Sequence, residues 1–244
     1  MRVISWNCCD AFERKFGHLE RLGPDIAIIQ EVRPESLKFA GVLDRSLWLG
    51  DTGRKGLAVI IYADWKLSPA PLSISERWFL PVVLTKGEQT IHLVAVWVDS
   101  AKDCVPPTLR ALASLKDFLT SAPSIIAGDF NQTVALDKGR IPGNRFADVL
   151  AMLGSLGLRS AWHTFTGEAQ GQESNPTLYW RWNEQAKYHI DFIFGSGDLE
   201  IQSATLGTFD QYVRAEISDH TPLSVDFHEK PLLRHNNAPS QVSF

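Results

Sequence analysis

The stretch that decides the fold is Ser124-Ile125-Ile126-Ala127-Gly128-Asp129-Phe130-Asn131. Ile125 to Ala127 is a short apolar run that reads as a buried strand. It stops at Gly128, and two polar side chains follow at once. Residues two apart on an extended chain point to the same side, so Asp129 and Asn131 would face one way. Gly128 allows a sharp turn or the close approach of another group. This pattern suits catalytic groups presented at a sheet end. It equally suits an ordinary turn, because Gly, Asp and Asn are turn residues. The rest of the chain has to decide.

The 244 residues are 44% hydrophobic and 21% charged, enough to bury a sizeable α/β core. The net charge of −4 gives no overall basic field. That counts against an indiscriminate nucleic-acid coat and leaves room for a local basic groove. No apolar run approaches the roughly 20 residues of a membrane span. The N-terminus enters a strand pattern directly, without a signal-peptide core. Cys8, Cys9 and Cys104 show no zinc spacing and fit reduced thiols, so a cytoplasmic protein is expected.

From the start, residues 2–7 alternate as a strand ending in Asn7, and Asp10 is placed to cap a helix to about residue 22. Residues 25–30 (DIAIIQ) form a second buried strand that delivers Glu31. Residues 34–40 suggest a short helix. Residues 56–62, 77–84 and 90–98 read as strands, the last two as a hairpin. Residues 107–119 form an amphipathic helix, and residues 144–156 another. Residues 159–163, 177–182 (TLYWRW), 188–194 (YHIDFIF), 199–206 and 221–227 complete the strands. Residues 1–228 are expected to form a single domain, and residues 229–244 a mobile tail. The pattern predicts two mixed sheets packed together with helices outside.

A polar group stands at the end of, or inside, an apolar strand at Asn7, Glu31, Asp129 with Asn131, Asp191, and Asp219 with His220. Converging carboxylates repel one another, and a hard divalent cation is the usual remedy. All-oxygen ligands favour Mg²⁺, Mn²⁺ or Ca²⁺ over zinc. A lone buried acid such as Asp191 is rare in a protein core.

Trp6-Asn7, Gln30-Glu31, Gly128-Asp129-Phe130-Asn131, His189-Ile190-Asp191 and Ser218-Asp219-His220, in this order, resemble the endonuclease/exonuclease/phosphatase superfamily. The likeness runs from residue 3 to about residue 227. It implies a DNase I-like four-layer α/β/β/α sandwich and hydrolysis of a phosphoester with Mg²⁺ or Mn²⁺. Glu31, Asp219 and Asn7 would hold the metal. Asp129 would activate the water, Asn131 would hold it or a phosphate oxygen, and His220, oriented by Asp191, would contact the phosphate. Two positions depart from the family pattern. Trp97 stands where many members carry His or Tyr, so either water or another group such as His163 would protonate the leaving group, and His189 stands where many carry Arg.

The resemblance implies a nuclease acting on DNA or RNA. The alternative is a hydrolase of a small phosphodiester or phosphomonoester, and a binding module without chemistry is a third reading. Trp97, Arg145, His163, Tyr179 and Arg181 are the candidate substrate contacts. With strand alternation, Trp180 and Trp182 would share one face and Tyr179 and Arg181 the other. Such an aromatic stripe is more often core than a stacking platform for a base. Arg140, Asn144 and Arg145 fit a groove or a solvated surface, and Arg54 and Lys55 read as a solvated turn. A monomer, off the membrane, is expected.

Overall fold

The structure is a computed structural model, and it describes residues 1–51, 53–98 and 104–229. The predicted tail lies outside the described residues, apart from Glu229. In chain order the strands are β1 (Arg2–Asn7), β2 (Ile26–Val32), β3 (Ser46–Gly50), β4 (Gly56–Ile61), β5 (Lys66–Pro69), β6 (Phe79–Lys86), β7 (Gln89–Trp97), β8 (Ser124–Asp129), β9 (Leu158–Ser160), β10 (Leu178–Tyr179), β11 (Lys187–Tyr188), β12 (Asp191–Ser196), β13 (Leu199–Leu206) and β14 (Leu223–Glu229). The helices are α1 (Phe12–Glu20), α2 (Pro34–Phe39), α3 (Val105–Ser114), α4 (Lys116–Thr120), α5 (Phe146–Ser155), α6 (Ala161–Thr166) and α7 (Phe209–Tyr212).

Two six-stranded mixed sheets result, ordered β13-β14-β1-β2-β4-β3 and β5-β6-β7-β8-β12-β9. Alternation along the strands explains the layers. Val3, Ile26, Ile28, Ile125, Ala127 and Ile193 fill the core between the sheets. Their neighbours face the other way. Ile4, Trp6, Ala27 and Ile29 pack under α1 and α2, while Ile126, Phe192 and Phe194 pack under α3 and α5. The predicted four-layer α/β/β/α sandwich is therefore what forms.

Strand direction locates the site. β1 runs parallel to β2, and β7 runs parallel to β8. β12 and β14 run antiparallel to β8 and β1. The ends of β1, β2 and β8 and the starts of β12 and β14 thus meet at one edge of the sandwich. Asn7, Asp129 and Asp191 share the parity of Val3, Ala127 and Ile193, so their side chains aim between the sheets at that edge.

Several elements differ from expectation. Residues 177–182 are not a strand. β10 lasts two residues, and a tight turn follows in which Arg181 (φ 55°) and Trp182 (φ 62°) are left-handed. The high β-propensity of the aromatics was overridden by that turn. Residues 159–163 split between β9 and α6. The helix at 107–119 is two helices, α3 and α4. Asp10 is no helix cap: Ala11 takes that position without a side-chain bond, and Asp10 instead pairs with Arg33. β12 begins at Asp191, which therefore opens a strand rather than interrupting one. β3 and β5 are strands the sequence did not announce. Among the described residues no helix is long and apolar enough to cross a membrane.

Candidate active site

Gly128 makes the first element of the site possible. Its φ is +150°, and a Cβ there would lie 1.8 Å from the Val96 carbonyl oxygen. Only glycine lets β7 and β8 approach this closely while the chain turns into Asp129. Phe130 then plugs into Phe146, Phe192 and Phe194, with ring centroids 5.6–6.0 Å apart. That anchor fixes the polar residues on either side of it. Asn131 is left-handed (φ 50°), its backbone N–H donates to Asp129 Oδ1 at 2.8 Å, and its amide donates to the Val98 carbonyl at 2.7 Å.

Glu31 reaches the site by a different device. Its parity in β2 matches Ala27 and Ile29, so a regular strand would turn it outward. A β-bulge between Gln30 and Val32 inserts it as an extra residue, with φ +59°. Bulges re-aim side chains in this way. A non-glycine residue held in this region costs of order 1–3 kcal/mol and is a feature of functional positions. Asn7 Nδ2 bridges the two strands, donating to Glu31 Oε1 at 3.1 Å and to Asp129 Oδ2 at 3.0 Å.

His220 is held by backbone and side chain together. Ser218 Oγ donates to the Asn7 carbonyl at 2.8 Å and accepts from the His220 N–H at 3.1 Å. The indole N–H of Trp6 donates to the His220 carbonyl at 3.1 Å. His220 Nδ1 lies 2.8 Å from Asp191 Oδ2, and both side chains are buried. Thr177 Oγ1 accepts from the backbone N–H groups of Ile190 and Asp191.

Burial pulls the His220 imidazole down, but the carboxylates of Asp191, Asp129 and Asp219 outweigh it and hold the ring protonated up to about 10. Burial, followed by repulsion from Asp191, pushes Asp129 up to about 7, against the pull of His220 and the Asn7 bond. Groups at a site with environments this perturbed are suited to proton transfer near neutrality.

These groups floor a cavity of about 240 Å³. Asp219, half-buried, joins Glu31 at its mouth, and the indoles of Trp78, Trp97 and Trp180 form its walls. A larger cavity of about 410 Å³ beside Tyr212 and Gln211 has no such convergence of carboxylates. Trp97 lies opposite Asp129 in the β7–β8 register and packs against Trp78 with centroids 4.9 Å apart.

The matching family model is the endonuclease/exonuclease/phosphatase family, over residues 5–220. The chain belongs to this family. Its fold is similar to a truncated TDP2 of Caenorhabditis elegans, with TM-score 0.65 and 18% identity over 93% of this chain and 96% of that one. It is similar to the 3′ phosphatase NExo from Neisseria bound to product DNA hairpin, with TM-score 0.66 and 15% identity over 93% and 99% of the two chains. The human Nocturnin catalytic domain with bound sulfate gives TM-score 0.64 and 22% identity, over 94% and 93%. No curated protein sequence matches the chain.

The structure of this family member brings Asn7, Glu31, Asp129, Asn131, Asp219, His220 and Trp97 to one cavity, with Asp191 directly behind His220. It does not bring the other predicted substrate contacts there. His163 is engaged at both nitrogens, by Ser160 Oγ at 2.7 Å and Glu173 Oε1 at 2.9 Å, in a buried cluster under residues 167–175. Arg145 directs its Nε to the Arg140 carbonyl at the start of α5. Tyr179 is buried against Phe209 in the layer outside β1. Arg181 lies outside the cavity over the Trp180 ring, 5.7 Å from its centroid. Trp78 and Trp180 line the cavity and were not among the candidates. Trp180 is placed there by the left-handed turn that replaced the expected strand, and Trp78 arrives from a loop with no motif.

Lys55 was also missed. It is no solvated turn residue, since its ammonium lies 2.7 Å from Glu31 Oε2. The carboxylates of Glu31 and Asp219 line the half-exposed side of the cavity, and oxygen donors of this kind fit a hard divalent cation. The Asn7 amide turns its NH₂ toward Glu31 and Asp129, while its oxygen accepts from the Cys9 N–H at 3.1 Å. The ligand atoms of Asp129, Asp191 and His220 also lie within 4.8 Å of one another. That trio fits a cation less well, because His220 is held protonated and its Nδ1 is committed to Asp191.

Proposed function

We propose that the protein is a Mg²⁺- or Mn²⁺-dependent phosphodiesterase acting on nucleic acid. The single observation that carries the reading is the division of this site in two. Half-exposed carboxylates sit at the mouth, and a buried Asp–His pair sits beside a buried Asp whose proton affinity is raised to near neutrality. Glu31 and Asp219 would hold the cation, with Asn7 Nδ2 orienting Glu31; the cation when bound polarises a phosphoryl oxygen and offsets developing charge.

The chain's own residues supply the rest. Asp129, lodged between Asn7 and the Asn131 backbone N–H, accepts a proton from the attacking water. The Asn131 and Asn7 amides constrain where that water can sit. His220 presents a cationic N–H toward the phosphate and stabilises the charge that grows there. Asp191 fixes the ring through Nδ1, leaving Nε2 for substrate. The indole walls of Trp78, Trp97 and Trp180 exclude water and suit the flat face of a base, which stacks without sequence preference. The DNA hairpin in the NExo structure is in keeping with this.

One observation favours a smaller phosphoester. No Lys or Arg is among the described residues lining the cavity, and the net charge is −4. Both readings are tested with one preparation. Mg²⁺-dependent cleavage of DNA or RNA oligonucleotides, slowed by added salt as phosphate contacts require, and lost in Asp129→Asn, is the expected result. Turnover of bis-p-nitrophenyl phosphate with oligonucleotides left intact would overturn the nuclease reading and leave the hydrolase chemistry.

A further inference from the structure

The Lys55–Glu31 contact has no part in the chemistry above, yet it sits on a proposed metal ligand. Lys55 Nζ is 2.7 Å from Glu31 Oε2, and the two side chains are 33% and 24% exposed. The other carboxylate oxygen, Oε1, accepts from Asn7 Nδ2 at 3.1 Å. Both oxygens of Glu31 are therefore engaged by donors from this chain.

Ordinary surface ion pairs are loose and contribute little. This one is built into place. Lys55 directly precedes Gly56, which pairs with Val32 across the bulge that aims Glu31. A Cβ on Gly56 would lie 2.4 Å from the Leu49 carbonyl oxygen and 2.6 Å from the Trp48 ring, so the chain cannot slide there. The turn before it is tied from the other side. Arg33 Nη1 donates to the Gly53 carbonyl at 3.0 Å, while the rest of its guanidinium grips Asp10 at 2.9–3.1 Å. Trp48 Nε1 donates to the Val32 carbonyl at 3.0 Å and closes the frame.

We propose that Lys55 is a built-in competitor for the divalent cation: its ammonium occupies the Glu31 carboxylate and weakens metal binding at the site. The inference rests on the reading of Glu31 as a metal ligand. Physically, a cation approaching Glu31 must share or displace the ammonium from Oε2, and it meets a like charge fixed a few ångströms away. The same ammonium holds the Glu31 carboxylate, with its strained backbone, in position before metal arrives. Lys55 is thus a positioning residue that trades metal affinity for an ordered ligand.

The test is Mn²⁺ binding to the full chain after chelation, followed by calorimetry and by the resonance signal of free Mn²⁺. Activity is not the readout. Wild type is compared with Lys55→Met, Lys55→Gln and Lys55→Arg. Neutral Met and Gln are expected to tighten Mn²⁺ binding by about tenfold or more, with the gain shrinking in high salt, while Arg keeps the charge and stays within about threefold of wild type. Thermal melts establish which variants are folded, and Gln carries the comparison if Met is not. Equal or weaker binding in the neutral variants overturns the proposal. Absence of binding in every variant overturns the metal reading of Glu31 itself, and this proposal with it.

Discussion

Asp191→Asn separates orientation from chemistry. Asp191 touches no proposed substrate position and acts through His220 Nδ1, 2.8 Å away and buried. A hydrogen bond to a charged group is worth about 1.5–3 kcal/mol, and each ~1.4 kcal/mol is tenfold in rate. Loss of this bond alone should lower kcat by about ten- to a hundredfold, short of the roughly 10²–10⁴ expected for His220→Ala. The pH profile gives a second, independent readout. Asp129 must be deprotonated to act as base, so activity rises with pH through its titration, near 7 in wild type. Burial and then the Asp191 charge raise it, so removing that charge moves the acid limb to lower pH. His220 must stay protonated, so activity falls as pH rises through its titration, near 10. Without Asp191 only Asp129 and Asp219 oppose the effect of burial, and the alkaline limb moves down as well. Both limbs should therefore shift the same way in steady-state hydrolysis of a phosphodiester. A linked stability effect follows in the metal-free protein. His220 binds its proton more tightly folded than unfolded. Its contribution is therefore whole below the unfolded value of about 6.5 and is lost as pH rises toward 10. Urea titrations of wild type should show this decline, and Asp191→Asn should flatten it. Wild-type kcat with an unmoved pH profile in Asp191→Asn would show that His220 is oriented by another group.

Other substitutions test other parts of the site. Gly128→Ala should be strongly destabilising, by more than the 1–3 kcal/mol of an ordinary overpacked site, because its Cβ meets the backbone of β7 rather than a movable side chain; denaturant midpoints measure it. Trp180→Ala, at a half-exposed wall, should raise KM for oligonucleotides by more than it lowers kcat, since base–aromatic stacking is worth about 1–3 kcal/mol; equal loss in both constants would count against stacking. His163→Gln should lower stability through the Ser160 and Glu173 bonds while leaving kcat within about twofold, the size of effect expected away from the chemistry; a large loss of kcat would return His163 to the site.

Much of this was legible from strand endings. Asn7 and Asp129 are polar residues terminating apolar strands, and their shared parity with Val3 and Ala127 places them between the sheets. The four layers follow from the same alternation. What escaped reading depended on departures from regular periods. Glu31 was visible as a residue, but period-two geometry points it outward, and only the bulge opposite Gly56 aims it inward. Trp180 to Trp182 carry strong strand propensity and still form a left-handed turn. Lys55 and Trp78 reach the site through long-range loop placement, which leaves no local pattern. Arg145 and His163 looked like groove residues by type, yet Arg145 turns its Nε to the Arg140 carbonyl, and both His163 nitrogens are engaged, by Ser160 and Glu173.

In the proposed division of labour the rim carboxylates hold the metal, while the buried Asp129, Asp191 and His220 act on water and phosphate. Anomalous diffraction from Mn²⁺-soaked crystals tests it most directly. The expected peak is bonded to Glu31 and Asp219, with the His220 Nδ1–Asp191 bond intact. A peak ligated by Asp129, Asp191 and His220, with Glu31 still paired only to Lys55 and Asn7, would contradict it.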